Sequence, residues 1–512
     1  MVSFNAPQKL TQRTPPMSTP AYTALTQTFT RLYRYQHLGA FLGWDQAAMM
    51  PSKGNDARGA ALAELQILLH HTLTDAALAP LLEQAQAESL DAFQHSSLRE
   101  MQRDWAQANL LPTRLVEAQA LAASRCEHAW RTQRAANDWA GFLGNFREVL
   151  TLSREEAHTL SQAQGVSPYD ALMAKFEPGT RSADIDAIFG DVKTWLPDLI
   201  RQVRAKQATE ILITPQGPFP IERQRALGQD IMGLLGFDFE AGRLDISAHP
   251  FCGGVAEDVR ITTRYSTDDF MQSMMGIVHE TGHARYEQGL PRDTAHLPVG
   301  RARSMGIHES QSLSFEMQLG RSPAFLSLIA PLVTQHLGAQ DAFAPENLAR
   351  LYTRVRPGFI RVDADELTYP AHVILRYEIE RALIDGDIEA DDIPTLWAEK
   401  MAHYLGVDTR GNDRQGCLQD IHWTGGSFGY FPSYTLGAMY AAQYFATLRQ
   451  TQPDLDAQVA GGNLAPIFDW LKANIWQQAS RWETPELVRR ATGEALNPRH
   501  FRAHLEQRYL HG

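Results

Sequence analysis

The chain has 512 residues, of which 44% are hydrophobic and 21% are charged, as is ordinary for a globular protein. Its formal net charge is −12 with no block of Lys or Arg, which argues against a nucleic-acid partner because phosphate backbones select clustered basic residues. No apolar run reaches the roughly 18 residues that a membrane span needs, and the cysteines Cys126, Cys252 and Cys417 do not suit a disulfide framework. We therefore expect a cytoplasmic protein with no membrane or nucleic-acid partner.

The predicted elements begin with a flexible lead-in over residues 1–20, which is rich in Pro, Ser and Thr and lacks the apolar core of a signal peptide. Leucines at helical spacing then predict a helix over residues 58–73. Long helical stretches are also predicted within residues 86–163 and 183–208. A chain of this length is expected to form two or more lobes.

Strand patterns are few and lie close together. Apolar and polar residues alternate over residues 258–265, and runs at 210–214 and 243–248 are predicted to pair with that strand. The sequence therefore predicts a small sheet just before residues 279–283.

Residues 279–283 read HETGH, an H-E-x-x-H motif. On a helix, His279 and His283 project from the same face one turn apart and can bind one zinc ion. Glu280 is rotated off that face, where it can hold a water molecule beside the metal. The alternative is a core helix with two hydrogen-bonded histidines. Gly282 costs about 1 kcal/mol relative to Ala inside a helix, so we expect a packing or site reason for it.

A third ligand is needed because a catalytic zinc usually has three protein ligands and one open position. Glu287 lies on the same helix, but about 12 Å of helix axis separates it from His279, which is too far for one ion. Glu309 is therefore the predicted ligand, with Glu316 in reserve; the alternative for either is a solvated helix face. Zinc lowers the pKa of a bound water molecule to near 7, and Glu280 can accept the proton of that water and later deliver it to a leaving amine. This combination is suited to hydrolysis of a peptide bond.

The last predicted elements are two helices and an aromatic segment. A Pro at the start and a Gly at the end predict a helix over residues 370–386, and another helix is predicted over 391–406. Residues 424–437, TGGSFGYFPSYTLG, are rich in glycine and aromatic residues. They are predicted to form either an ordinary turn or a mobile loop that faces the substrate.

The remaining signal is a series of short motifs in order along the chain. They are WDQAAMMP at 44–51, HPF at 249–251, DVRIT at 258–262, HETGH at 279–283, HESQ at 308–311, IRVDAD at 360–365 and GCLQDIHW at 416–423. Together they resemble the carboxypeptidase Taq (thermostable carboxypeptidase) family of zinc carboxypeptidases, over roughly residues 22–510.

The resemblance implies a mainly α fold similar to those of neurolysin and angiotensin-converting enzyme, with a deep groove and a small sheet beside the zinc site. One two-lobed catalytic domain is expected over residues 21–512. By the same resemblance His279, His283 and Glu309 bind one zinc per chain, and Glu280 is the general base. Members of the family remove single C-terminal residues from peptides with a free C-terminus, with broad specificity and proline disfavoured. They are commonly homodimers, and some work well with cobalt.

An enzyme that acts at a chain end must recognise a free carboxylate, and Arg is the best residue for this because it offers a bidentate fork. Arg361 is the predicted carboxylate-binding residue and Arg260 is the alternative. Each Arg has a structural interpretation as well: an ion pair on the sheet face with Asp258 or a neighbouring acid for Arg260, and a salt bridge with Asp363 or Asp365 for Arg361.

Four more motif residues are predicted around the site. His249 and His422 either donate to the oxyanion or the substrate, or are hydrogen-bonded structural histidines. Tyr434 either stabilises the tetrahedral oxyanion through its hydroxyl or packs as an aromatic residue. Asp420 is predicted to hold an imidazole in one tautomer.

Two other functions fit parts of the pattern. A zinc endo-oligopeptidase of similar fold would share the HETGH chemistry, and a peptide with an amidated C-terminus would distinguish it from a carboxypeptidase. A non-catalytic helical peptide-binding protein is the second alternative. The intact Glu280 argues against that second reading, because a structural zinc needs no base.

Overall fold

The computed structural model describes residues 19–247 and 249–511. Residues 1–18 of the predicted lead-in lie outside the described residues, and the first helix begins at Pro20. The N-terminal half consists of the helices α1 Pro20–Ala48, α2 Asn55–Leu73, α3 Leu78–Ala87, α4 Ala92–Leu110, α5 Thr113–Ala135, α6 Trp139–Gln164, α7 Pro168–Met173, α8 Ser182–Gln207 and α9 Ile221–Leu234.

A three-stranded sheet follows, and helices then continue to the C-terminus. The strands are β1 Gly242–Ile246, β2 Cys252–Val255 and β3 Asp258–Thr263. The later helices are α10 Met271–Gly289, α11 Met305–Leu313, α12 Pro323–Leu337, α13 Pro345–Tyr352, α14 Tyr369–Asp385, α15 Ile393–Leu405, α16 Pro432–Thr451, α17 Leu455–Ala460, α18 Ala465–Asn474, α19 Thr484–Thr492 and α20 Arg499–Glu506.

Short helices of other types connect these elements. Two π-helices occupy Ser314–Gly320, directly after α11, and Gln507–His511, directly after α20. The 3₁₀ turns are Ser52–Gly54, Pro298–Gly300, Asp341–Phe343, Arg361–Asp363, Ala390–Asp392, His422–Gly425 and Trp476–Gln478. None of the described helices combines the length and the apolar character that a bilayer crossing requires.

Local chemistry explains several helix boundaries. Asp91 and Gln94 form a capping box that satisfies free N–H groups at the start of α4. Gly165 ends α6 in the left-handed conformation, with φ of 67°, which a residue without Cβ adopts at little cost. The predicted helices at 58–73, 183–208 and 370–386 agree with α2, α8 and α14.

The sheet has the order β1-β3-β2, with β1 parallel and β2 antiparallel to the central β3. Val259 and Ile261 of β3 are fully buried and pack in one cluster with Ile277 and Ala284 of α10. The predicted sheet therefore lies where expected, against the helix that carries the HETGH motif.

The predicted strand at residues 210–214 is wrong. That segment has no regular secondary structure, and a side chain binds its backbone in place of a strand: Asn347 accepts from Ile213 N and donates to Ile213 O. The second edge strand is instead Cys252–Val255, which the sequence analysis did not predict.

The aromatic segment 424–437 is helical over part of its length and is not a loop throughout. Its second half is the first part of α16, which begins at Pro432, and Tyr434 lies in the first turn. Proline suits the first turn of a helix because no N–H is needed there.

Two further hydrophobic clusters stabilise the helical part of the molecule. The smaller cluster joins α1, α3 and α4 with Leu297 and Val299. The larger cluster extends from α5 to the C-terminal helices. Tyr33 and Gln36 of α1 contribute to one wall of the groove.

Candidate active site

Three side chains from two helices converge at the floor of the groove. His279 and His283 lie on α10 and Glu309 lies on α11, and their ligand atoms are all within 4.8 Å of one another. His283 Nε2 is 3.4 Å from one Glu309 oxygen and His279 Nε2 is 4.0 Å from the other. Within the described residues 19–247 and 249–511, no other group of His, Cys and acidic side chains is close enough to share an ion.

Two carboxylate oxygens at this point are buried without a hydrogen-bond partner: Glu309 Oε1 and Glu280 Oε2. An unpartnered buried carboxylate is costly, and a cation between the ligands would satisfy Glu309. Burial raises the pKa of Glu280 to about 7 despite the opposing effect of His279. The two imidazoles and the carboxylate are donors that zinc commonly binds, so the residues present fit a divalent metal.

Close helix packing brings Glu309 to the histidines. A Cβ at Gly282 would lie 2.6 Å from the carbonyl oxygen of Gln311, so α10 and α11 touch through their backbones at this point. A Cβ at Gly437 of α16 would lie 2.7 Å from Glu309 Cβ, on the opposite side. This confirms the expected packing reason for Gly282, because a larger residue would separate α10 from α11 and so move Glu309 away from the two histidines.

Both His279 and His283 are held through the Nδ1 atom of the ring. His279 Nδ1 is 2.8 Å from Glu316 Oε2, and Arg321 donates to the other oxygen of Glu316 at 2.6 Å. His283 Nδ1 is 2.6 Å from His308 Nδ1, and the far nitrogen of His308 is 2.8 Å from Glu287. Such contacts orient an imidazole toward a metal.

These contacts shift the pKa of each histidine differently. Burial disfavours the charged form of His279, but the hydrogen bond to Glu316 and the nearby carboxylates outweigh it and raise the pKa to about 10. Burial lowers the pKa of His283 to about 4, with the hydrogen bond to Glu309 opposing it.

Glu316 was the reserve choice for the third ligand. It contacts His279 Nδ1, on the far side of that ring, and is not part of the group formed by His279, His283 and Glu309.

A groove with a cavity volume of about 1670 Å³ opens over the cluster. Six further residues predicted for the site line it: Glu280, His249, Arg361, Asp420, His422 and Tyr434.

Arg361 is buried in the groove wall, with 6% of its surface exposed. Its Nε donates to Asp420 at 3.1 Å, and its guanidinium carbon lies 4.5 Å from the ring centre of Tyr434. Asp420 also accepts from Arg376 at 2.6 Å. Burial would raise the pKa of Asp420, but the two guanidinium groups hold it well below its usual value. Asp420 is therefore paired with two arginines and not with the predicted imidazole.

His422 and Tyr434 form a hydrogen-bonded pair beside Arg361, with 3.0 Å between His422 Nε2 and the Tyr434 hydroxyl. Burial, followed by the charge of Arg361, lowers the pKa of His422 to about 3. Burial raises the pKa of Tyr434 to about 12 even though Arg361 opposes it. At neutral pH the pair is thus a neutral imidazole and a protonated phenol.

The two remaining predicted residues have different surroundings. His249 lines the groove with its ring 6.5 Å from that of Trp130, and burial and Arg134 lower its pKa. Arg260 lies outside the groove lining. Its Nε and Nη2 atoms each donate to one carboxylate oxygen of Asp258 at 2.8 Å. Its guanidinium carbon lies 4.4 Å from the ring centre of Trp44.

Comparison with known proteins places the chain in a family. The sequence model described as Carboxypeptidase Taq (M32) metallopeptidase matches residues 24–509. The chain belongs to this family. It is 38% identical over 484 residues to thermostable carboxypeptidase 1 of Thermus thermophilus, covering 92% of this chain and 95% of that protein. It is also 32% identical to carboxypeptidase 1 of Bacillus subtilis, covering 94% and 96% of the two chains.

Solved structures of M32 enzymes share the fold. Metallocarboxypeptidase 1 of Trypanosoma cruzi superposes with a TM-score of 0.93 at 48% identity, covering 96% of this chain and all of that one (100%). The carboxypeptidase of Pyrococcus furiosus gives a TM-score of 0.91 at 32% identity, covering 96% and 99%. The chain is a metal-dependent carboxypeptidase with a mainly helical fold of the angiotensin-converting-enzyme and neurolysin type.

The partners of His279 and His283 in this metallocarboxypeptidase were not predicted from the sequence. His308 precedes Glu309 in the HESQ motif, so its position in a motif was an available signal. Arg321 lies outside the motifs, so its sequence position gave no such signal. Tyr369 and Tyr430 also line the groove and were not singled out.

Proposed function

We propose that this M32 enzyme is a zinc carboxypeptidase that removes single C-terminal residues from peptides, with His279, His283 and Glu309 as the metal ligands. The observation that carries the proposal is the convergence of these three side chains in an open groove, next to the unpartnered oxygen of Glu280. Three protein ligands leave coordination free for water and substrate, as in catalytic zinc sites. The family resemblance supports broad specificity with proline disfavoured.

The reaction is proposed to divide between the metal and Glu280. When bound, the metal polarises the scissile carbonyl and makes a water molecule acidic enough to attack at neutral pH. Glu280 accepts the proton of the attacking water and passes it to the departing amine. The position of Glu280 supports this role, because it lies one residue from His279 and faces the groove.

Arg361 is proposed to bind the free carboxylate of the substrate. It lines the groove, and only its Nε–H is used in the hydrogen bond to Asp420 described above. Its charge also acts on Glu309, so it lies near the metal ligands. Arg260 is the weaker candidate, because Asp258 already occupies its fork. We propose that Arg260, on β3, instead stabilises the packing of α1 against the sheet through its contact with Trp44.

Tyr434 and His422 are proposed to stabilise the oxyanion. The Tyr434 hydroxyl keeps its proton at neutral pH, and its contact with His422 fixes its direction. A donor preorganised at the developing negative charge is usually a large contribution to catalysis. His249 is proposed to contact the substrate from the groove wall.

The experiment that tests the function is mass spectrometry of a peptide with a free C-terminus, sampled over time with and without a chelator. A ladder of single C-terminal losses that stops with chelator is expected. An amidated copy of the peptide is the matched substrate control and should resist cleavage. Internal fragments from both peptides would show an endopeptidase, and no cleavage by metal-loaded protein would show a non-catalytic peptide-binding protein.

Several finer properties are also proposed. The enzyme binds one zinc per chain, with cobalt as an alternative metal, and residues 21–512 form one two-lobed catalytic domain. The three free cysteines support a cytoplasmic location, and the family resemblance supports a homodimer. Metal analysis of the purified protein and light scattering during size-exclusion chromatography test the metal and the oligomeric state.

A further inference from the structure

The contact between Glu316 and His279 depends on an unusual piece of backbone. Glu316 lies on the π-helix Ser314–Gly320, which continues directly from α11. Helices of this type are rare and often occur at functional sites, because the wider turn redirects a side chain. Here the turn directs the Glu316 carboxylate to His279 Nδ1, on the side opposite Glu309.

The end of this π-helix lacks regular backbone donors. The N–H of Arg321 goes to Glu316 O, and the N–H of Ser322 goes to Leu319 O. The next residue is Pro323, which has no N–H to offer. Carbonyl groups just before the end of the helix therefore need donors from elsewhere in the fold.

Arg508, in the C-terminal π-helix Gln507–His511, supplies those donors. Its Nη1 donates to the carbonyl of Met317 and its Nη2 donates to the carbonyl of Gln318 at 3.1 Å. Met317 and Gln318 directly follow Glu316, so one planar guanidinium caps the backbone next to the residue that holds His279.

Arg508 is itself fixed by a buried acid. Glu366, whose side chain is 0% exposed, accepts from Arg508 at 3.0 Å. His504 and the Tyr509 hydroxyl contact the same carboxylate at 2.5 and 3.2 Å. Arg508 and its neighbours thus form a hydrogen-bonded network that links Glu366 to the π-helix of Glu316.

We propose that Arg508 is a positioning residue for the metal site. It fixes the π-helix Ser314–Gly320 so that Glu316 can orient His279 toward the metal. This inference rests on the proposed metal ligands and extends the site to the C-terminus, far from the groove in sequence. Arg508 does not line the groove, and we infer that it acts through Glu316.

The test measures metal affinity in folded, full-length protein. Metal is stripped, and the dissociation constants of Zn²⁺ and Co²⁺ are measured by chelator competition for wild type, Arg508→Met, Glu316→Gln and the double variant. Loss of a group that orients a ligand typically weakens metal binding 10–100-fold. We expect each single variant to fall in about that range and the double variant to be no weaker than the worse single one. The absorption spectrum of bound Co²⁺ should change in the same way in all three.

Arg499→Met is the matched control, because Arg499 lies on the neighbouring helix α20 and its exposed side chain pairs with Glu494. Its metal affinity should equal that of wild type. A second variant, Arg508→Lys, keeps a positive charge beside Glu366 but loses the fork that serves two carbonyls. It should bind metal with intermediate affinity.

Three results would overturn the inference. Arg508→Met could bind both metals as wild type does, or the losses from Arg508→Met and Glu316→Gln could simply add, as independent sites do. Arg508→Met and Arg508→Lys could both fail to fold, which would show that Arg508 contributes to the stability of the fold and not specifically to the metal site. Failure of the proposed metal site is distinguishable, because His283→Ala would then leave the wild-type affinity unchanged.

Discussion

The substitution Arg361→Lys tests how this enzyme recognises a chain end. Lys keeps the positive charge but offers no planar pair of donors. Asp420 remains compensated in the variant, because Arg376 donates to it at 2.6 Å independently of Arg361. The fold should therefore change little, and the loss should appear in substrate recognition.

The size of the effect follows from the bond that is lost. One hydrogen bond between charged groups contributes roughly 1.5–3 kcal/mol, which corresponds to about 10–150-fold in kcat/KM. A scissile bond displaced by about 1 Å costs roughly another 10²-fold in rate, so kcat should fall as well as KM rise. Metal content should be unchanged, because Arg361 is not a ligand.

The assay compares kcat/KM on a free and an amidated peptide of the same sequence. The preference of the wild type for the free end should shrink in Arg361→Lys. Arg260→Lys is the matched control, since it makes the same change at an arginine outside the groove, and its preference should equal that of wild type. An unchanged preference in Arg361→Lys would refute the reasoning, and a reduced preference in Arg260→Lys would transfer the role to Arg260.

Three further predictions concern the metal, the base and the acid stability. Glu280→Gln should keep its metal and lose about 10²–10⁴-fold in kcat; near-normal turnover of the metal-loaded variant would mean another base. Glu309→Ala should lose most bound metal in elemental analysis, and full occupancy would disprove its role as ligand. Burial would raise the pKa of Glu366, but Arg508 and the hydrogen bond from His504 hold it at about 2, below the ordinary 4.5. Its stabilising effect, on the order of 3 kcal/mol, is thus present above pH 4.5 and lost as the pH falls toward 2. The difference in unfolding free energy between wild type and Glu366→Gln, measured in urea at several pH values, should shrink over that range, and a constant difference would contradict it.

The sequence predicted the helices better than the sheet, for a physical reason. The stripe of leucines over residues 58–73 is local, and α2 forms there. The run at 210–214 has the composition of a strand, yet the side chain of Asn347 binds its backbone, and that contact is tertiary. The strand Cys252–Val255 contains two glycines and no alternation. Gly254 adopts a φ of 100°, where a Cβ would lie 2.0 Å from the Asp258 carbonyl oxygen.

The candidate site could also be predicted only in part. The geometry of His279, His283 and Glu309 could be predicted, because spacing on one helix and a Glu on the next helix restrict it strongly. The place of Glu316 could not, because nothing in the sequence marks the change from α-helix to π-helix after α11. For Arg260, the ion pair with Asp258 was one of the two interpretations of the sequence, but the contact with Trp44 could not be predicted because Trp44 lies on a helix distant in sequence.

The division of the proposed metal ligands between two helices has a thermodynamic consequence. His279 and His283 lie one helical turn apart in the same segment, so we expect a denatured chain to keep both close together and to bind zinc weakly. Glu309 joins them only when α11 is docked on α10. A ligand that also binds the denatured state stabilises the folded protein by less than its affinity for the native state suggests. As zinc is increased, the melting temperature should therefore rise to a plateau, whose height reports how much the docked carboxylate adds to the two histidines.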